Sequence, residues 1–520
     1  MLRLSRPANV FLTCYCCTKR TPSQNALDLD QDALRVELQY SRAEQFKTAE
    51  AFYTQGAFAG SYADLQLKND PGATSFIPAG TRVVGTSTLG ALINGSILED
   101  IEIGEMHFLV RYETSDVQAT WSSCRVGALV ITGFEDDDGC FMEEGKVVVE
   151  QKGTYQYGYD IANGNKNALT LQKLSTNAES EMLLCKNCPH RTFEKFFNYY
   201  DVPDYGDRWV MAAFETGRTR YARGNADFST YGGVGHKQAI LFGSAFLNVW
   251  MYVIQKMEEA LDLCKDGQDG RLNSWDQAVA FYTGSMEGQN GTERGQMIHA
   301  LADKLCADFK TCGDSGNVVS GRAAATASIF SNFDLGKVGL EALDCAAVEE
   351  VKIAIEDKMV VPLVQATLRH AYRREMMGDS EQIQAEGATL AASVLPLVHH
   401  CNPDDAEIIY KYMKVGSGIP SFLSVKTTFE RNYQCMGISC SDVGGFYDNA
   451  NNAYFEFAGP CASEQPKLNG TAIGLGVFFG LVALLILGFL VVRYRRKLKQ
   501  ERENPVSLES VNLHPGRAWT

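Results

Sequence analysis

The chain has 520 residues, a formal net charge of −15 and 15 cysteines. An acidic protein of this size repels nucleic acid and anionic surfaces, so we expect no nucleic-acid partner. The length allows two or three domains outside any membrane segment.

The first 30 residues are predicted to be an atypical signal or leader. Arg3 and Arg6 precede a short apolar stretch at 8–17, which is weakly hydrophobic for a signal peptide. A leader is nevertheless expected, because the membrane topology derived below requires entry into the secretory route.

Residues 31–190 are predicted to form an antiparallel β-rich extracellular domain. Apolar and β-branched residues cluster into short runs, and turn formers separate these runs. An acidic run at 135–138 lacks the alternating ligand spacing of a calcium loop, which favours a solvated turn. The predicted strands lie at 81–85, 106–112, 125–132 and 146–150.

Residues 191–420 are predicted to be helical, because the apolar period lengthens to that of an amphipathic helix. The fold class is therefore α+β. The predicted helices cover 239–263, 274–286, 292–309, 346–377, 382–398 and 404–413.

This helical region contains an internal repeat with an offset of 110 residues. Residues 253–255 overlie 363–365, and residues 276–280 overlie 386–390 without a gap. We therefore predict a duplicated helical bundle, with two halves packed about a pseudo-twofold axis. The interface between such halves is a natural place for a ligand.

The C-terminal part is predicted to be a Cys-rich stalk at 421–470, a transmembrane helix at 471–492 and a basic cytoplasmic tail at 493–520. The membrane run has 22 residues without a charge, and as a helix it reaches about 33 Å, enough to cross a bilayer. The basic tail predicts a single-pass type I orientation in the plasma membrane. Glycosylation sequons at Asn94, Asn290 and Asn469 lie on the predicted outer side.

Twelve of the 15 cysteines lie between residues 120 and 470, and the tail has none. This distribution predicts up to six disulfides in an oxidising compartment, with the pairing left open. Cys185 and Cys188 form a CxxC motif, which we interpret as disulfide partners because no second CxxC follows. No P-loop, HExxH or nucleophile elbow is present, so we predict no enzymatic activity.

Oxygen-bearing side chains recur on matching faces of the two halves. Asp276 and Glu386 occupy equivalent positions on helices rich in small apolar residues, where a carboxylate faces either solvent or a shared site. Oxygen donors with an added imidazole suit a hard cation such as Fe³⁺, and arginine suits carbonate. His299 and Asp303 are spaced to share a metal or to form a simple pair. The predicted metal ligands are Asp276, Glu386, Tyr282, Tyr372, Glu259 and His299, and the predicted anion-binding residues are Arg369 and Thr283.

Within 195–415 the chain resembles the iron-assimilation proteins of algae, which include the low-iron-inducible periplasmic proteins and the membrane-anchored phytotransferrins, or iron-starvation-induced proteins. One departure is His370, where a tyrosine is expected before Ala371. The stretches that carry the resemblance are WVMAA (209–213), NVWMYVIQKMEEA (248–260), WDQAVAFYTGSMEG (275–288), PLVQATLRHAY (362–372) and AEGATLAASVLP (385–396).

The resemblance implies carbonate-assisted capture of ferric iron at the cell surface, followed by endocytosis into vesicles. Endocytic proteins or a surface reductase are the partners it implies. The tail shows no tyrosine-based sorting signal, since Tyr494 is followed by basic residues. Two alternatives remain open: an adhesive receptor that binds glycan or protein without metal, and a surface enzyme.

Overall fold

The computed structural model describes residues 22–40, 42–56, 62–68, 76–78, 81–86, 92–97, 101, 107–112, 125–126, 129–130, 144–159, 165–166, 169–284 and 295–461. Several predictions lie outside these residues: most of the leader, the acidic turn at 135–138, the membrane helix, the basic tail, and the sequons at Asn290 and Asn469. Within the described part of the chain, one helical run, Gly233–Lys265, is long and apolar enough to span a membrane. Its apolar window is 94% buried inside the fold, as in a core helix.

The described residues form a helix-rich protein with an antiparallel sheet, which confirms the mixed helical and β character predicted from the sequence. Short π-helical turns at Ser244–Val249 and Arg373–Met377 extend two of the helices. The α-helices are α1 Pro22–Glu37, α2 Ala43–Gln55, α3 Lys173–Thr176, α4 Arg191–Tyr200, α5 Tyr205–Phe214, α6 Gly233–Gly243, α7 Trp250–Lys265, α8 Arg271–Thr283, α9 Ile298–Phe309, α10 Ala324–Ala342, α11 Cys345–Tyr372, α12 Glu381–Cys401, α13 Pro403–Met413, α14 Phe422–Asn432 and α15 Cys440–Val443.

The strands are β1 Tyr62–Leu67, β2 Arg82–Thr86, β3 Leu92–Ile97, β4 His107–Tyr112, β5 Arg125–Val126, β6 Leu129–Val130, β7 Glu144–Val149, β8 Gly153–Tyr159, β9 Asn165–Lys166, β10 Tyr447–Asp448 and β11 Ala453–Tyr454. The main sheet has the order β4-β3-β2-β7-β8-β1-β9, and β1 also pairs with β4. This second pairing closes six strands into an antiparallel ring.

Side chains point alternately to the two faces of each strand, and the apolar ones fill the inside of this ring. In β7 the side chains of Val147 and Val149 are buried, whereas Val148 between them is 44% exposed. Successive side chains of a strand point to opposite faces, so the pattern gives one apolar face and one solvated face. The ring therefore has a small apolar core of its own, separate from the larger helical core.

Polar side chains mark where several helices of the large core begin. Asp344, Ser380, Asn402 and Ser421 each accept a hydrogen bond from a backbone N–H in the first turn of the helix that follows. Such N-caps satisfy donors that the helix itself cannot pair. These capping residues mark the N-terminal ends of α11 to α14.

The two halves of the predicted repeat have matching helices. The run Gly233–Lys265 and the run formed by α11 with its π turn are each followed by a tight turn and a second helix. These second helices, α8 and α12, begin at Arg271 and Glu381, in agreement with the offset found in the sequence.

The boundaries of the β-rich part differ from the prediction at its N-terminal end. Helices α1 and α2 belong to the large helical core, where Gln31 Nε2 donates to the Leu241 carbonyl at 2.7 Å. Tyr53 Oη donates to Asp207 at 3.1 Å and accepts from Asn248 at 2.8 Å. Residues from 22 onward are therefore part of the folded protein, and the strands of the ring begin only at β1.

The segment predicted as a stalk is also folded up to residue 461. Phe422, Val425 and Phe429 of α14 are buried in the helical core. They recur at helical spacing, so α14 presents one apolar face to its neighbours. The Cys- and Gly-rich composition of this segment concealed that periodicity.

Five disulfides link cysteines of the described residues, which confirms the prediction of disulfide bonding. The remaining two of the twelve cysteines, Cys124 and Cys140, lie outside the described residues. The pairs are Cys185–Cys188, Cys264–Cys345, Cys306–Cys312, Cys401–Cys435 and Cys440–Cys461.

Candidate metal site between helices α8, α9 and α10

Asp276 is buried, and a lysine of a neighbouring helix pairs with its carboxylate. Its side chain is 2% exposed, and Lys337 Nζ of α10 lies 3.0 Å from Oδ1 and 3.4 Å from Oδ2. An ion pair of this kind offsets the free energy of burying a carboxylate. The Asp276 carboxylate therefore has a structural role in joining α8 to α10.

Glu386, the matching acid of the second half, is paired in the same way. Its Oε2 lies 2.8 Å from His370 Nε2, and its Oε1 accepts from Gln382 at 2.8 Å. Burial acts to raise the pKa of Glu386, but the His370 contact and the Gln382 hydrogen bond outweigh it and the pKa is lowered. His370 therefore has a partner that explains its presence at this position.

The two acids have different partners, Lys337 for Asp276 and His370 for Glu386. Helix α8 packs on α1, α7, α9 and α10, whereas α12 packs on α4, α6, α11 and α13. Helical periodicity left open whether these side chains face solvent or the interior, and the structure shows both largely buried. The periodicity carried no information on which neighbouring helix supplies the compensating charge.

The other predicted site residues of α7, α8 and α11 also have local partners. Arg369 Nε donates to Asp308 at 2.7 Å, and Glu259 pairs with Lys256 at 2.6 Å. Thr283 donates to the Val279 carbonyl of its own helix at 2.8 Å. Tyr372 lies in an aromatic cluster with Phe422, Phe446 and Phe455.

Tyr282, His299 and Asp303 meet between α8, α9 and α10. The Tyr282 and His299 rings are in edge contact, with centroids 6.0 Å apart, and His299 Nε2 lies 3.7 Å from Asp303 Oδ2. Phe330 and Phe333 of α10 pack against Tyr282 and close the apolar side. A phenol, an imidazole and a carboxylate thus converge in one place.

The electrostatics of this cluster follow from its burial. Burial raises the pKa of Tyr282, and the neighbouring Thr326 hydroxyl offsets only part of the effect. Among the described residues, Tyr282 Oη has no hydrogen bond of standard geometry. Burial also lowers the pKa of His299, although Asp303 acts in the opposite direction. At neutral pH the site therefore holds a neutral phenol and a neutral imidazole beside a carboxylate that is 30% exposed.

Arg322 brings a positive charge to the same place. Its charge offsets part of the rise in the pKa of Tyr282 and adds to the lowering of the pKa of His299. The loop that carries it is fixed, because Ala323 N donates to Asp303 Oδ1 at 2.8 Å and Gly313 N donates to the Arg322 carbonyl at 2.8 Å. Sequence reasoning missed Arg322, since it lies on a loop without helical spacing to the other residues.

A second polar group that the sequence did not reveal is a buried ionic network between α7 and α11. Lys352 Nζ lies 2.6 Å from Glu258 Oε1 and 2.8 Å from Glu356 Oε1, and Thr192 donates to Glu356 Oε2 at 2.7 Å. A single lysine pairs with both carboxylates, so the contacts of these three side chains lie within the network. This network is therefore assigned to stability rather than to binding.

The sequon at Asn94 lies in β3, where it pairs with Val84 of β2.

No protein-family model, no curated protein and no solved structure matches this chain.

Proposed function

We propose that this protein captures ferric iron at the cell surface, with Tyr282, His299 and Asp303 as ligands and with carbonate held near Arg322. The observation that carries the proposal is the convergence of a phenol, an imidazole and a carboxylate between α8, α9 and α10. The resemblance of 195–415 to algal iron-assimilation proteins supports it independently of this geometry.

The donor set suits a hard trivalent cation. Phenolate and carboxylate oxygens are hard ligands, imidazole is tolerated, and the absence of thiolate from the three donors disfavours a softer metal. The pKa of Tyr282 is raised by burial, so the phenol loses its proton only when a cation takes its place. Binding therefore releases a proton and depends on pH.

Acidification is expected to release the metal. Protons compete with the cation for the Tyr282 oxygen, for the carboxylate and for the bound carbonate. The pKa of His299 is lowered, so the imidazole stays available as a ligand to a lower pH than an exposed histidine. Release in an acidic vesicle thus follows from loss of the oxygen ligands first.

The membrane-anchored context belongs to the same proposal. The apolar run at 471–492 with its basic flank supports a single-pass type I anchor, and the disulfides are typical of an oxidising compartment. Uptake by endocytosis, with endocytic or reductase partners, is carried by the family resemblance. We propose binding and delivery, without catalytic turnover.

The test is a competition titration of the purified full-length protein with ferric nitrilotriacetate, with and without bicarbonate. We expect one tight site, weakened without bicarbonate and weakened strongly by Tyr282→Phe or His299→Gln. Tyr372→Phe is the matched control, because it removes a phenol from an aromatic cluster outside the site. Equal affinity in the wild type and Tyr282→Phe would refute the assigned ligand, and equal affinity with and without bicarbonate would remove the anion.

A further inference from the structure

A second group of metal-ligating side chains lies at the start of α4, away from the oxygen donors described above. Cys185 and Cys188 are joined as a disulfide, and His190 Nε2 lies 3.6 Å from Cys185 Sγ. The two sulfurs and a ring nitrogen of His190 all lie within 4.8 Å of one another. We call these three residues the CxxC cluster.

His190 is held as a neutral ligand aimed at the sulfurs. The residue is 6% exposed, and its backbone N–H donates to the Met182 carbonyl at 3.0 Å. Its Nδ1 is buried and has no hydrogen-bond partner among the described residues. Burial lowers the pKa of His190, partly opposed by Asp262. A buried ring with one unpaired nitrogen and the other beside sulfur is unusual for a purely structural histidine.

The disulfide itself is open to chemical reduction. Both sulfur-bearing residues are partly exposed, and Lys186 and Asn187 between them are exposed. The two cysteines are 3 positions apart, against 81 for Cys264–Cys345. A shorter ring gains less from loop-closure entropy, so opening it removes little stability.

We propose that reduction of Cys185–Cys188 creates a Zn²⁺ site from the two thiolates and His190. A dithiol reductant donates two electrons and two protons, the S–S bond breaks, and the reductant leaves as its own disulfide. Binding of Zn²⁺ then releases the two thiol protons. Oxidation reverses both steps, so the CxxC cluster exchanges a covalent link for a metal according to redox conditions.

The chemistry of the donors favours zinc. Two thiolates and an imidazole match the ligands of Zn²⁺, with Zn–S near 2.3 Å and Zn–N near 2.0 Å. Asp262 Oδ2 lies 4.0 Å from His190 Nε2 and supplies the fourth donor. Opening the S–S bond lets the two sulfurs move apart to the separation that a shared tetrahedral ion requires. This site differs from the proposed iron site in metal, ligands and helices.

The test uses the full-length protein under anaerobic conditions. A limiting dithiol is added, alkylation with mass spectrometry identifies the opened cysteines, and Co²⁺ is titrated as a spectroscopic substitute for Zn²⁺. We expect Cys185–Cys188 to open first and one Co²⁺ to bind with a thiolate charge-transfer band that Zn²⁺ abolishes. The oxidised protein should show no such band.

Variants decide whether the CxxC cluster is responsible. Cys185→Ser with Cys188→Ser should abolish the band, and Cys306→Ser with Cys312→Ser, which opens another short loop, should keep it. His190→Gln leaves both thiols and should weaken Co²⁺ binding by at least the 10- to 100-fold that outer-shell partners typically contribute. The proposal fails if the reduced wild type shows no band, if another disulfide opens first, or if the band survives loss of both cysteines.

Discussion

Lys352 is expected to be a highly sensitive charged residue of the helical core. Its Nζ bridges Glu258 and Glu356 at 2.6 and 2.8 Å, and the three side chains are only 5%, 12% and 11% exposed. Lys352→Met leaves two buried carboxylates without a counter-charge, and breaking a buried ion pair in this way costs about 3–5 kcal/mol. We therefore expect the free energy of unfolding at pH 7 to fall by that amount in urea denaturation.

The stability lost in Lys352→Met should depend on pH. Burial raises the pKa of Glu258, and Lys352 partly offsets the effect, so removing the lysine raises that pKa further. A protonated glutamic acid is less costly to bury, and the stability lost in Lys352→Met should shrink as the pH falls from 8 to 5. Adding Glu258→Gln and Glu356→Gln should recover more than half of the loss.

Lys358 supplies the matched control on the same helix. It pairs with Asp442 at 2.6 Å, but the two side chains are 26% and 25% exposed. A more solvated pair is worth about 1 kcal/mol or less, so Lys358→Met should have a small effect. Equal losses in the two methionine variants would refute the reasoning that burial makes the Lys352 network costly to break.

Three further predictions concern residues outside the proposed iron site. Replacing Cys264 and Cys345 with alanine should lower the free energy of unfolding by about 4 kcal/mol, since the link closes a loop of 81 positions; an unchanged urea midpoint would contradict this. Glu386→Gln should cost about 1–3 kcal/mol at pH 7. Because His370 lowers the pKa of Glu386, that stability is fully present above the carboxyl's ordinary pKa. In a pH series of melting temperatures the difference should be lost as the pH falls through the lowered pKa of Glu386. Asp276→Asn should lower the melting temperature yet leave the affinity for ferric iron unchanged. A loss of that affinity would show that Asp276 contributes to the metal site.

Several of the helices were predictable because each needs only a local pattern. The predicted segments 382–398 and 404–413 correspond to α12 and α13 within a few residues at each end, since apolar periodicity and the capping residues lie in the sequence itself. The offset of 110 residues reappears in the starts of α8 and α12 for the same reason. Strands β2, β4 and β7 were likewise found from alternation and turn formers.

The candidate site was only half predictable. Tyr282 and His299 were named as ligands from their residue types, and Asp303 was noted from its spacing to His299. Arg322 was missed, because the loop 310–323 is brought to the site by tertiary packing that no local pattern encodes. Long-range pairing decides which charges meet, and sequence spacing within one helix cannot supply it.

Long-range pairing of charges also explains why Asp276 and Glu386 do not share a cleft between the two halves of the repeat. A buried acid is satisfied by whichever cation the neighbouring helix presents. For Asp276 that helix is α10, which lies outside the matched pair α8 and α12 of the repeat. The repeat therefore predicts which helices match more reliably than it predicts the partners of the matched side chains.

Crystals of the iron-loaded protein would show whether ferric iron binds between α8, α9 and α10. An anomalous difference map recorded at the iron absorption edge should show one peak within coordination distance of Tyr282 Oη, a nitrogen of His299 and an oxygen of Asp303. A peak at another place in the fold, or no peak after loading at neutral pH with bicarbonate, would contradict binding between these helices.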